Sequence, residues 1–305
     1  MYAAPPETTA RVFATLPPEL HGKAEDSSWL QQQHKGRQLP AFLEGPSFDR
    51  DGNLLCVDVA YGRIFRVDQQ GGFELLAQYD GEPNGLKIHQ DGRVFIADYR
   101  HGIMVLDPHN GRVEPYFTRP MFERFRGVND LHFATNGDLY FTDQGQSGLQ
   151  RPNGRVFRLS AQGKLDCLLD NVPSPNGLAF NASETDLLLA VTRANAIWRV
   201  RFFPDGNVAK SGTFIQMSGG LAGPDGVAVD EQDNLLVCHM GMGSVWKFSR
   251  LGEPVLRIRA PEGLLTSNCA FGGPDNSTLF ITNSETGQIL AADLGVPGKK
   301  TYALS

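Results

Sequence analysis

Glu44, Asn84, Asn129, Asn176, Asp225 and Ser267 each stand four residues before an apolar one, at the head of a strand-like run. The motifs read EGPSF, NGLKI, NDLHF, NGLAF, DGVAV and SNCAF. All six leading side chains carry oxygen, and Glu44 and Asp225 carry full negative charge. If brought together they form a ring of hard ligands, with neutral amide oxygens from Asn129 and Asn176 beside the two carboxylates. Such a set suits a hard divalent cation that keeps some of its water: calcium first, then magnesium or manganese. Zinc usually recruits His or Cys, and neither stands at a ring place, so it is the least favoured ion.

The spacing says which elements must do the gathering. Successive motifs start 40, 45, 47, 49 and 42 residues apart. Periods of this size belong to blade-type repeats, one four-stranded sheet per repeat around an axis. After each motif comes a turn signal and a second strand, as in DGN-LLCVD, DGR-VFIAD, NGD-LYFTD and QDN-LLVCH. A third strand follows (GRIFRVD, GIMVLD, GRVFRLS, AIWRVRF, GSVWKFS, GQILAAD), and weaker fourth strands read at FELLAQY, VEPYF, LDCLL, GTFIQM and VLRIRAP. The expected fold is an all-β, six-bladed β-propeller in one domain. Its six blades fill 41–292, with 1–40 supplying a closing strand and a connecting segment. RVFATL at residues 11–16 is the expected fourth strand of the last blade, because an open ring edge invites pairing with other chains. Residues 17–40 match no blade and are expected to form a loop or short helix crossing to the first blade, with a cap on one mouth of the channel and a mobile surface connection equally weighted.

Asn-Gly and Asp-Gly usually mark hairpin turns. Here each repeat already has its hairpin signal several residues later, so the dipeptides are surplus to that need. Pro83, Pro175 and Pro224 precede Asn84, Asn176 and Asp225, and restrict the backbone at the head of the run.

Composition excludes several classes. A net charge of −6 with no basic cluster disfavours a nucleic-acid partner. No apolar stretch approaches the ~18 residues of a membrane helix, so no membrane partner is expected. The first residues, MYAAPPETTARVF, lack the apolar core of a secretory signal, which sets the expectation of a cytoplasmic protein. Cys56, Cys167, Cys238 and Cys269 lie in strand-like runs with no zinc spacing, and are expected to be buried, reduced thiols.

Taken together, FLEGPSFDRDGN, GVNDLHF…GDLYFTD, PSPNGLAF, GPDGVAVDEQDNLLV and TSNCAFGGPDNSTLFIT resemble the SMP-30/gluconolactonase/LRE family of six-bladed propellers. The motifs fall in the family's order and cover nearly all of the chain past residue 40. The resemblance implies one divalent metal at the propeller centre, often calcium, and hydrolysis of a lactone. It assigns Glu44, Asn176 and Asp225 as metal ligands, with Asn129 as a further ligand or a substrate contact. The related squid-type diisopropylfluorophosphatases carry a second, structural calcium. Its Asp and His places hold Ala228 and Ala270 here, which weakens both that site and a phosphotriesterase assignment.

Mechanistically, a metal-bound lactone carbonyl would be attacked by water. Asp225 is the first choice of general base and Asp130 the second, with an orienting role for Asp130 equally weighted. Arg124 lies where relatives carry a basic residue before their Asn-Asp pair, and is a candidate for substrate contact. Asn84, Tyr99, Gln144 and His239 complete the substrate candidates, with a surface role for His239 at least as favoured. His89, His101 and His132 read as ordinary strand or loop residues, and the loop from Gln144 to Gly154 as part of the rim. The expected partner is a small molecule: a sugar (aldono) lactone such as gluconolactone. A calcium-dependent phosphotriesterase-like hydrolase and a non-catalytic propeller scaffold are the alternatives.

Overall fold

The computed structural model describes residues 3–120 and 122–304. Six antiparallel sheets follow one another along the chain, five of four strands and one of five. The inner strands are Leu43–Phe48, Pro83–Ile88, Val128–Phe133, Pro175–Phe180, Gly223–Val229 and Thr266–Gly272. Each is the head of an expected repeat, so the chain folds as a six-bladed β-propeller. The Asn-Gly and Asp-Gly dipeptides lie inside strands.

Apolar side chains gather between blades. Six buried clusters each draw on two adjoining blades, including the pair formed by the last blade and the first. The second strands explain this: LLCVD, VFIAD, LYFTD and DLLLAV are buried along their whole length, since a blade is covered on both faces. Fully burying one such Leu or Phe contributes about 1.5–3 kcal/mol. A seventh cluster, with Leu30, Leu39 and Phe42, sits under the segment before the first blade.

Ring closure uses both ends of the chain. Arg11–Thr15 pairs antiparallel with Gln288–Asp293, completing the sixth blade. Just before it, Glu7–Thr9 runs parallel to Pro254–Arg259 and adds a fifth strand to the fifth blade, a pairing with no signal in the sequence. The Glu7 carboxylate anchors it on Arg257 and Arg259. Residues 17–40 form short 3-10 turns and one helix, Ser28–Gln33, whose N-terminus is capped by the Ser27 hydroxyl.

The last residues make a strap across the opposite mouth. Gly298 donates to Asn276 of the sixth blade and Lys299 to Val229 of the fifth. The Lys299 ammonium reaches Glu184 of the fourth. Tyr302 packs on Phe133 and His89 of the third and second, and Arg50 of the first donates to the Ala303 carbonyl at 3.1 Å.

Candidate active site

Every inner strand carries a β-bulge at its motif, one residue more than its neighbour: Glu44 to Ser47 spans Val57 to Leu55, and Val128 to Leu131 spans Asp143 to Phe141. The same irregularity recurs in the other four. A bulge breaks the alternation of side chains and re-aims them, which is why such features sit at active sites.

The second place of each motif then becomes critical, because it meets the neighbouring inner strand. Four of these places are glycine. A Cβ on Gly85 would lie 2.8 Å from an Asp130 carboxylate oxygen, and one on Gly226 would lie 2.1 Å from Asn268 Oδ1. Asp130 and Asn268, the two exceptions, therefore lean into space that the glycines leave. Asn268 Nδ2 bridges Glu44 Oε2 at 2.9 Å and Asp130 Oδ2 at 3.3 Å. Ser267 was expected in the ring; its hydroxyl instead bonds the Leu43 carbonyl, Thr282 and Ser284, fully buried. Asn268, one residue on, reaches Glu44 and Asp130 in its place.

Asn129 and Asn176 are buried and oriented by residues just past the second strands. Asn129 donates to Gln144 Oε1 at 3.1 Å, and Asn176 to Thr192 Oγ1 at 3.2 Å. Thr192 in turn donates to the Pro224 carbonyl, beside Asp225. Asn84 is half-buried and its side chain makes no hydrogen bond among the described residues. Fully buried aspartates at the ends of three second strands fix the approach to the ring. Asp58 accepts from Phe42 N, Asp98 from Glu82 N, and Asp143 from Arg126 N and Gly127 N.

His239 stands at the equivalent place in the fifth blade, and the expected surface role fails there. Its ring is fully buried under Gly220, whose Cβ would lie 2.4 Å from Nε2, and neither ring nitrogen reaches hydrogen-bond geometry. Burial pushes its pKa down despite the Gly219 backbone, and it takes no part in the cleft wall.

Above the ring opens a polar cleft of 420 Å³, lined among others by Gln33, Gln144, Gln146, Gln150, Ser174 and Arg193. Gln144 accepts from Asn129 and donates to Ser174, so the cleft adjoins the ring on the side of the third and fourth blades. Gln33 comes from the short helix of the N-terminal segment, which thus helps to wall the mouth. Tyr99 Oη accepts from Gln146 at the rim. Arg124 is exposed in the loop before the third inner strand, away from the cleft lining. Sequence inspection missed Asn268, Thr192 and Arg193, while Gln33 lies in the segment for which a capping role was one expectation. Only Asn268 had a signal: it and Asp130 break a run of glycines at one motif place.

Electrostatics mark the ring as starved of positive charge. Burial, then Asp225, then Asp130 push the Glu44 pKa up, against the help of Asn268. Burial and Asp130 push Asp225 to about 8, with Asn176 and Arg193 opposing. Among the described residues, no three His, Cys, Asp or Glu side chains form a ready-made metal cluster. An ion here would have to draw on amide oxygens as well. The donor chemistry fits that requirement. Asn129 and Asn176 commit their amide nitrogens to Gln144 and Thr192, while neither Oδ1 accepts a hydrogen bond among the described residues.

The raised Asp225 pKa sets a sign for stability. The folded chain holds a proton that the unfolded chain, with an ordinary value of 3.8, has released. Metal-free protein should therefore be stabilised at low pH and lose stability as pH rises between about 4 and 8, by up to about 1.4 kcal/mol per pH unit. Thermal melts in chelator across that window measure it, and a flat profile would show that the ring carboxylates are already compensated.

Residues 42–285 match the SMP-30/Gluconolactonase/LRE-like region. The chain belongs to this family. Lactonase drp35 of Staphylococcus haemolyticus is 33% identical over 274 residues, covering 84% of this chain and 81% of the relative. The Staphylococcus aureus MW2 protein of the same name is 30% identical over 273 residues, with 84% and 82% covered. Among solved structures, the calcium-binding protein regucalcin from Agrobacterium tumefaciens superposes with a TM-score of 0.78 at 21% identity, covering 99% and 98% of the two chains. A gluconolactonase from Xanthomonas campestris gives 0.73 at 23%, covering 96% and 98%. At such identities the two structures speak for the fold alone.

The cysteines are free, and Cys56, Cys238 and Cys269 are buried as expected. Cys167 is exposed, because an outer strand has only one covered face. Among the described residues, no helix is long and apolar enough to cross a membrane.

Proposed function

We propose that the protein is a divalent-metal-dependent lactonase, opening a sugar lactone such as an aldonolactone. The observation that carries this is a buried, mutually repelling set of carboxylates on the propeller axis, joined through Asn129 and Gln144 to an amide-lined cleft. The drp35 lactonases, with similarity over more than four-fifths of the chain, support the reaction class. Four glutamines in the cleft wall offer both donors and acceptors, the pairing that several sugar hydroxyls require.

Glu44, Asn129, Asn176 and Asp225 would hold the ion, calcium first by its preference for oxygen ligands. When bound, it supplies Lewis-acid polarisation of the lactone carbonyl. Asp225 takes a proton from the water that adds to the carbonyl carbon. The bond from that carbon to the ring oxygen then breaks, and the departing oxygen takes up a proton to leave a hydroxy acid. Asp225 suits the base better than Asp130. Asp130 is held at both oxygens, by Leu131 N and by Asn268, whereas Asp225 has no such double restraint. Asp130 is thereby fitted to hold Asn268, and through it Glu44, in place.

A substrate panel with and without chelator tests this. Lactone turnover should vanish in chelator and return with calcium. Inert lactones alongside rapid phosphotriester turnover would replace the substrate class, and metal binding without any turnover would make the propeller a scaffold.

A further inference from the structure

Below the ring the axial channel continues into a chamber of 70 Å³. The fourth motif places line it: Ser47, Lys87, His132, Ala179, Ala228 and Ala270, one from each blade. The strap at Lys299–Leu304 closes it from beneath. His132, expected to be an ordinary strand residue, is thus a channel residue. Burial, Lys299 and Lys87 push its pKa down to about 3, so it is neutral. No carboxylate belongs to this layer, and it cannot serve as a second metal site.

Lys87 is the exception in this layer. It is half-buried, and among the described residues it makes neither an ion pair nor a hydrogen bond. Of the other two lysines lining the chamber, Lys299 is already paired with Glu184 at 2.9 Å and Lys300 is exposed. An unpaired ammonium in an apolar chamber is costly unless a nearby anion offsets its desolvation. That anion is Asp130, which sits over Gly85, two residues before Lys87 on the same inner strand. The register is unbroken from Gly85 to Lys87, so the two share a face of the strand and Lys87 lies on the side that Asp130 occupies, where the opposite charges attract.

We propose that Lys87 is a resident counter-cation of the acidic floor, standing beneath Asp130 so that the floor takes one divalent ion from above and none from below. The one-ion clause rests on the metal reading above; the counter-cation itself does not. A counter-cation stabilises the metal-free ring and repels an incoming metal, and the two effects have separate readouts.

The test compares Lys87→Met with Lys87→Arg by thermal melts in chelator near neutral pH and by calcium calorimetry. Lys87→Met should lower the melting temperature in chelator and tighten calcium binding tenfold or more, which is about 1.4 kcal/mol. Lys87→Arg, which keeps the charge, should stay close to wild type in both. A Lys87→Met protein that melts at or above wild type in chelator overturns the proposal, because the lysine would then be only a poorly solvated cation. Unchanged calcium affinity overturns it equally. A wild-type protein that binds no calcium sinks the metal reading instead, and the chelator melt still decides the role of Lys87.

Discussion

Replacing Asp225 with Asn should cut the rate at saturating calcium by about 10²-fold or more, the scale for loss of a positioned base. The change keeps an oxygen at the ring and nearly the same shape, so packing against Gly177 and Asn176 is preserved. Under the proposed mechanism it removes both the charge that would bind the ion and the basicity that would take the proton. Calcium affinity should therefore fall as well, and the two losses separate in rates measured across a calcium titration. Asn176→Asp makes the opposite change: calcium should bind more tightly, with less effect on the proton transfer. An Asp225→Asn enzyme that regains the wild-type rate at high calcium would show that Asp225 is only a ligand. Asp130 would then become the base.

The largest stability effect should come from Asp143→Ala, outside the ring itself. Asp143 is fully buried and accepts from Arg126 N, Gly127 N and Arg155 Nε at 2.6, 2.8 and 2.7 Å. Arg155 is itself buried, with its guanidinium over Phe157 and a second carboxylate, Glu123, at 2.5 Å. Truncation leaves that guanidinium short of its buried partner and two backbone donors unmet. Breaking a buried pair in this way costs about 3–5 kcal/mol. Urea unfolding measures it, with Arg66→Ala as the control: its pair with Glu74 is exposed and should contribute under about 1 kcal/mol. Residual activity should fall too, because Gly127 leads directly into Val128 and Asn129.

The repeat was legible because it is periodic twice over, in its spacing and in its surplus of Asn-Gly and Asp-Gly dipeptides beyond what hairpins use. From that, Glu44, Asn129, Asn176 and Asp225 could be set on a common axis. What failed was finer and has a common cause. Strand alternation predicts facing only while the register holds, and a bulge at every motif breaks it. Ser267 and Asn268 exchanged roles on that account, and His132 entered the channel unannounced. His239 misled differently, since burial under Gly220 depends on a loop from another strand. The aspartates at the second-strand ends read only as the last residues of those strands. Their partners lie some sixteen residues away, as with Asp58 and Phe42, and no local pattern carries that pairing. The parallel strand at Glu7–Thr9 and the closing strap have no sequence signature either: the strand's partners lie some 250 residues away in the fifth blade, and the strap is docked by single contacts to many blades.

The way the ring is fastened also fixes when it can be finished during synthesis. Arg11 pairs with Ala291, and Glu7 with Arg257, so the first strands made must wait for partners that emerge last. Five blades can form and stack in order while these strands stay unpaired and an incomplete final sheet is still to come. Contacts this distant in sequence are slow to form. Throughout the wait the nascent chain carries open sheet edges at both ends, the surfaces on which a second chain can add. Yield in the cell would then depend less on how stable any blade is than on how quickly residues 7–15 find the far end of their own chain. Moving those nine residues to follow the last blade would remove the wait without altering one contact in the ring.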